Sequence, residues 1–138
     1  MNLIAKNISV DAGMIIVADL AYRDLELTDK NLSLGNVRKV LNGKYKVHYS
    51  IKNTWNGPVE GDETLLVTNN KIIIIDPCYI IGTKLFVQCS ISQAMKSWMS
   101  WLEKTSYGKH LDSQQAFIID SMGGDGCYNV HLSLQEIK

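Results

Sequence analysis

Asn70-Lys-Ile-Ile-Ile-Ile-Asp-Pro-Cys-Tyr-Ile-Ile81 is the stretch on which the fold turns. Ile72 to Ile75 are β-branched, suited to an extended chain and crowded against the preceding turn in a helix, so they read as a buried strand. Asp76-Pro77 ends it, because proline brings no N–H to a ladder and an Asp side chain closes a local turn. A weaker copy lies upstream. Gly13-Met-Ile-Ile-Val-Ala-Asp-Leu-Ala-Tyr22 aligns with Asn70 to Tyr79, placing Ile15, Ile16, Asp19 and Tyr22 on Ile72, Ile73, Asp76 and Tyr79, each pair 57 residues apart.

A second pair follows the first in the same order. Asn42-Gly-Lys-Tyr-Lys-Val-His-Tyr-Ser-Ile51 lies over Asp125-Gly-Cys-Tyr-Asn-Val-His-Leu-Ser-Leu134 at an offset of 83, with Gly, Tyr, Val, His and Ser identical. The second half therefore carries 26 extra residues between its blocks. The pattern reads as an internal duplication within one domain, 1–138, with halves at about 3–52 and 64–138 and a helical insertion at about 90–108. The expected fold is mainly β (α+β), a pseudo-twofold antiparallel sandwich or flattened barrel of two similar halves packed face to face, with one amphipathic helix.

A chain of 138 residues with 46% hydrophobic and 20% charged residues is long enough to bury a core. Lys+Arg 14 against Asp+Glu 14 leaves no net charge, which argues against a nucleic-acid partner. No segment approaches the roughly 20 apolar residues that span a bilayer, and the N-terminus lacks the apolar run of a signal peptide. Cys78, Cys89 and Cys127 are widely spaced and form no paired framework, so a reduced cytoplasmic setting is expected.

Taken in order, Leu3–Val10 and Met14–Ala18 read as strands joined at Asp11-Ala-Gly13 in a hairpin, and Arg23–Gly35 as a connection. Asn42-Gly43 signals a tight hairpin between Asn36–Leu41 and Lys44–Ile51. Tyr45, Val47, Tyr49 and Ile51 alternate with polar residues, giving one wet face and one dry. Asn53–Glu63, with two glycines and a proline, reads as a loop or hinge, and its Trp55 as a lid on the core or an exposed contact. Thr64–Thr68 and Lys71–Ile75 repeat the opening hairpin, Leu85–Cys89 is a further short strand, and Ala116–Asp120 with Cys127–Leu134 forms the last hairpin.

The insertion contains the helix. Ser90-Ile-Ser-Gln93 has the form of a capping box, Met95, Trp98, Met99 and Leu102 share one face, and Gly108 is a terminator. On this reading Trp98 belongs to the core. Trp101, about 60° outside the stripe, sits on its rim, either as a partner contact with Met99 and Lys104 or as cover for a sheet edge.

Asp76-Pro-Cys-Tyr79 after a hydrophobic strand, with Gly124-Asp-Gly-Cys-Tyr-Asn-Val130 near the C-terminus, resembles a loosely defined group of small uncharacterised bacterial, phage and plasmid proteins. The likeness covers about Val67–Ile81 and Ala116–Leu132. The chain departs in having Asn129 where a proline is common, and Asp11-Ala-Gly where Asp-Ser-Gly is usual. The resemblance implies the β fold and a phage or mobile-element setting. It implies no catalytic residue.

The residues themselves offer three chemistries. Gly123-Gly-Asp-Gly126 offers amides to an anion, but lacks the Lys-Ser or Lys-Thr and following helix of a phosphate loop, so a turn explains it better. Asp76, Asp120 and Asp125 match no metal-loop spacing, and turn aspartates cap backbone amides, so no metal or cofactor is expected. Cys78 or Cys127 with His48 or His131 supplies a thiol and a base, yet both histidines fall on the wet face, which favours structural cysteines.

The expected function is a non-enzymatic binding protein engaging a host or defence protein, with Trp101, Met99, Lys104 and Trp55 as contacts. One alternative is a small-molecule, nucleotide-like binder or hydrolase with Asp76, Cys78, Tyr79, Asp125 and His131 lining a pocket. Another is a structural or assembly subunit, and a homo-oligomer stays open.

Overall fold

Four isoleucines in a row, Ile72 to Ile75, are each 0% exposed. Successive side chains of a strand point to opposite faces, so this strand has cover on both sides. The computed structural model supplies that cover from two directions, and describes residues 1–22, 25, 35–80, 91–109, 111 and 114–138. Its strands are β1 (Asn2–Val10), β2 (Ile15–Asp19), β3 (Asn36–Lys39), β4 (Gly43–Thr54), β5 (Gly57–Val67), β6 (Lys71–Ile75), β7 (Ala116–Ile119) and β8 (Gly126–Glu136). The helix is α1 (Ile91–Lys104). The connection expected over Arg23–Gly35 falls almost wholly outside the described residues. Leu85–Cys89, Cys89 itself and the Ser90 cap also lie outside them.

Two antiparallel four-stranded sheets form, an outer one ordered β1-β8-β4-β5 and an inner one ordered β3-β6-β2-β7. They are separate sheets, so the sandwich is realised and the barrel is not. Between them lies the main core, where Ile15, Val17, Ile72, Ile74 and Phe117 of the inner sheet meet Val47, Leu65, Tyr128, Val130 and Leu132 of the outer. The other face of the inner sheet presents Ile16, Ala18, Ile73 and Ile75 to Trp101 and Leu102 of α1, forming a second core. Complete burial of each such side chain stabilises the fold by about 1.5–3 kcal/mol relative to exposure.

Each sheet draws two strands from each half, so the halves interleave and do not stack as separate layers. Exchanging β1, β2, β3 and β4 for β5, β6, β7 and β8 reproduces both strand orders with their direction reversed. The register agrees. Ile8 lies opposite Tyr128 in one ladder and Leu65 opposite Tyr45 in its counterpart, which are the offsets of 57 and 83 read from the sequence.

The turns expected to close hairpins instead carry the chain from one sheet to the other. Asp11–Gly13 joins outer β1 to inner β2, Leu41-Asn42 joins β3 to β4, Thr68–Asn70 joins β5 to β6, and the 120–125 turn joins β7 to β8. Gly13 and Asn70, at matched corners, both have positive φ, +72° and +53°, which glycine and asparagine tolerate best. The true hairpin is the segment expected to be a loop. β4 runs on to Thr54 and pairs with β5 across Trp55-Asn56. Its apolar alternation is masked because Gly61 stands where Tyr49 lies across β5; a Cβ there would sit 2.7 Å from the Tyr49 ring carbon Cζ. Pro58 is tolerated because β5 is an edge strand.

Candidate functional site

β5 and β7 are the outermost strands of their sheets on the same side of the sandwich. The Leu66 N–H donates to the Gln114 carbonyl at 2.8 Å and joins the two edges at one point. Beside this joint a cleft of about 440 Å³ is lined by Tyr49, Glu63, Lys109, Gln114, Phe117 and Asp120, among others. That volume is in the range of small-ligand sites. The rings of Tyr49 and Phe117 stack at 5.9 Å with an interplanar angle of 23°. Lys109 and Gln114 come from the segment between α1 and β7.

Glu63 pairs with Val47 across the ladder and therefore points toward the inner sheet, an unusual direction for a carboxylate. Partial desolvation raises its pKa above the ordinary 4.5. Burial raises the Tyr49 phenol, and the carboxylates of Glu63, Asp120 and Asp62 push it further, so the ring keeps its proton and remains a donor.

A stability test follows from Glu63. Its raised folded pKa means the folded state holds the proton more tightly than the unfolded chain, so stability is lost as pH rises through that value. Glu63→Gln is expected to be more stable than wild type near pH 7 by a few tenths of a kcal/mol, the small size reflecting solvent screening of an exposed group. The gain fades below about pH 4, where both proteins are neutral at this position. Urea midpoints of the pair at the two pH values check it, and a gain that grows on acidification contradicts it.

No protein-family model, curated protein or solved structure matches this chain.

The residues expected to carry function lie elsewhere, and several have structural duties. Asp76 is fully buried, and its carboxylate accepts the amides of Asp11 at 2.7 Å, Ala12 at 2.8 Å and Cys78 at 2.9 Å. Its counterpart Asp19 accepts the Thr68 hydroxyl at 2.7 Å, the Asn69 amide at 3.1 Å, the Ala21 amide at 3.3 Å and the Gln115 side-chain amide at 3.1 Å. Each aspartate thus caps its own turn and fastens the corner of the other half. The matched tyrosines act in parallel, Tyr45 donating to the Leu41 carbonyl and Tyr128 to the Gly124 carbonyl, each four residues upstream.

The Asp-Pro-Cys-Tyr and Gly-Asp-Gly turns do meet at one end of the sandwich. Cys78 and Tyr79 are half-buried there and Asp125 is exposed. Burial raises the Cys78 thiol strongly, reinforced by Asp76 and then by Asp11 and Asp125, so it stays protonated and a poor nucleophile. His131 is not part of this group; it lies on the outer face of the outer sheet, paired with Ser50. Cys127 is exposed beside Ser9, with sulfur and hydroxyl 3.8 Å apart. Among the described residues, no three His, Cys, Asp or Glu side chains are placed to hold a metal.

The glycines of 123–126 make room for a hairpin tip. A Cβ on Gly124 would meet the Trp55 ring at 2.8 Å, and one on Gly123 would meet the Asn56 side chain at 2.6 Å. Trp55 is 75% exposed, yet its indole N–H donates to the Asp125 carbonyl at 2.9 Å and Asn56 donates to the Ser121 carbonyl at 3.0 Å. Trp55 is thus a docked brace with one open face.

Trp101 is the clearest correction. It is 7% exposed, stacked on Trp98 at 5.4 Å, while Trp98 itself is half-buried. Among the described side chains, the inward face of α1 and the turn after it is Trp98, Trp101, Leu102 and Thr105, rotated from the expected stripe. The Thr105 hydroxyl donates to the Trp101 carbonyl at 2.8 Å and accepts the Gly108 amide at 3.1 Å, which lets it sit 4% exposed. Met99, 42% exposed, and Lys104 face outward.

Folding also assembles a grouping invisible in the chain. Ser133, His48 and Asp62 lie abreast on β8, β4 and β5. The His48 ring nitrogens face Asp62 at 2.9 Å and Glu60 at 3.6 Å, so neither is left for Ser133, and the row lies on the outer face of the outer sheet. Glu63, Tyr49, Phe117 and Lys109 were missed altogether as site residues, since Glu63 fell in a supposed loop and the aromatics read only as core.

Proposed function

We propose that the chain is a non-enzymatic binding protein and that its ligand enters the seam between β5 and β7. The cleft carries this reading. It lies beside the point where the two free strand edges meet, and it sets the carboxylates of Glu63 and Asp120, which have no cationic partner among the described residues, next to the stacked rings of Tyr49 and Phe117. In the duplicated domain we infer, the features shared by both halves, the buried aspartates and corner tyrosines, are spent on architecture. What one half alone carries is the place for function.

The observations against catalysis point the same way. Cys78 is held as a thiol, Asp19 and Asp76 are saturated by hydrogen bonds, and His48 is engaged by two acids. The phage or mobile-element setting implied by the motif resemblance makes a host or defence protein a natural partner. No helix among the described residues is long and apolar enough to cross a membrane.

Glu63→Trp fills the cleft from an exposed position without touching the core. Tagged wild-type and variant proteins, matched in thermal stability, are compared for co-purifying material by mass spectrometry. A component retained by wild type and lost from the variant supports the site, and identical sets from both refute it.

A further inference from the structure

β7 is the last strand of the inner sheet and pairs only with β2. The phase of that ladder is set by the Asp19 N–H donating to the Gln115 carbonyl at 2.8 Å, which makes these residues a hydrogen-bonded pair. Alternation then turns Phe117 and Ile119 toward β2, and the N–H and C=O of Ala116 and Ile118 away from it. The carbonyl of Gln114 shares this outward phase, and it is the group that receives the Leu66 amide. Past that joint the edge continues beside the cleft, and no strand among the described residues covers it. Half-buried Ile118, which lines the cleft, therefore presents unpaired backbone to it. An exposed edge of this kind is a template for another strand.

The charge around the edge is one-sided. Glu63 and Asp120 line the cleft and both act on the Tyr49 phenol. Lys109 is the one cation among the lining residues, and it is exposed. Neither Glu63 nor Asp120 has a cationic partner among the described residues. Aromatic rings next to unpaired carboxylates suit an organic cation, which gains from both.

Resting on the cleft as the binding site, we infer that the occupant is an extended segment of a partner protein that adds as a strand to the free edge of β7. It places a lysine or arginine side chain beside the Tyr49–Phe117 pair, within reach of Glu63 and Asp120. Main-chain bonds to Ala116 and Ile118 hold the segment, and the basic side chain selects it.

The probe is the peptide acetyl-Val-Thr-Arg-Thr-Val-amide, titrated into the isotope-labelled full chain and followed by NMR. Saturable shifts confined to Glu63, Asp120, Tyr49 and the 114–120 backbone are expected. Replacing the arginine by citrulline, or the protein by Glu63→Gln or Asp120→Asn, is expected to weaken binding about tenfold, the loss of one charge-assisted contact. N-methylation of the alternate peptide amides abolishes it. Equal affinity for the citrulline peptide overturns the cation, and undiminished binding of the N-methylated peptide overturns strand addition. If no probe binds while Glu63→Trp still loses a co-purifying component, the strand-and-cation inference fails and the cleft stands as a site. If Glu63→Trp also changes nothing, both fail.

Discussion

Asp76→Ala is expected to destabilise the protein by about 3–5 kcal/mol, more than any other polar substitution outside the matched Asp19. The carboxylate is fully buried and receives three backbone amides, two of them from the corner between β1 and β2. Alanine leaves those three donors without their acceptor at a partly buried corner. Each buried donor stranded in this way costs about 1–3 kcal/mol. Because Asp76 also fixes the corner that sends the chain from outer to inner sheet, the damage reaches the packing of Ile15 and Ile72.

Asp19→Ala is expected to cost about as much, roughly 3–5 kcal/mol, since it strands a hydroxyl, two backbone amides and one side-chain amide at the corresponding corner. Urea unfolding of both variants tests the pair. Losses under about 1 kcal/mol in both would show that the corners hold without their carboxylates. A large loss in one alone would show that the two corners do not carry equal weight.

These aspartates illustrate how far the chain could be read. The strand-Asp-x-x-Tyr blocks and the Gly-x-Tyr-x-Val-His blocks were visible as matched pairs, and both offsets reappear in the ladders. Which strands pair was not visible. A turn between strands has the same composition whether the chain doubles back within a sheet or crosses to the facing one, so Asp11–Gly13 and Asn42-Gly43 passed for hairpins. One usable signal was present. β4 and β8 alternate between dry and wet, as strands of a sheet with one face in water must, whereas β2 and β6 are apolar except for one end residue each, Asp19 and Lys71, as strands covered on both faces are. Sorting by that difference puts the first pair in the outer sheet and the second in the inner.

The cleft left no comparable trace. Tyr49 on β4 and Phe117 on β7 belong to different halves and different sheets, and their stacking depends on the two sheets packing together. Glu63 drew no attention because its neighbours Gly57, Pro58 and Gly61 suggested a loop. Only pairing with Val47 reveals that its carboxylate points inward, against the pattern that a buried-face position leads one to expect. A local break in alternation on an edge strand is what the seam contributes to the sequence, and glycine and proline beside it conceal even that.

Trp101→Ala is the other substitution with a large expected effect, a loss of about 3–5 kcal/mol in unfolding free energy, and it separates a packing role from a recognition role. The indole is 7% exposed in the second core, where it meets the helix-facing side of the inner sheet and stacks on Trp98. Truncation removes the transfer free energy of the ring and opens a cavity under α1 that Leu102 and Ile80 cannot fill without moving. It also withdraws the main apolar anchor of the helix, so α1 and the Thr105–Gly108 turn that ends it are expected to loosen together. Met99→Ser, one turn face away and 42% exposed, is the control and is expected to stay within about 0.5 kcal/mol of wild type. Chemical unfolding gives the energies, and hydrogen exchange of the α1 amides shows whether loss of the ring frees the helix locally or weakens the whole sandwich. Should Trp101→Ala match wild type in both measurements, the ring is not a core element, and the layer that covers Ile73 and Ile75 owes its attachment to something other than this helix.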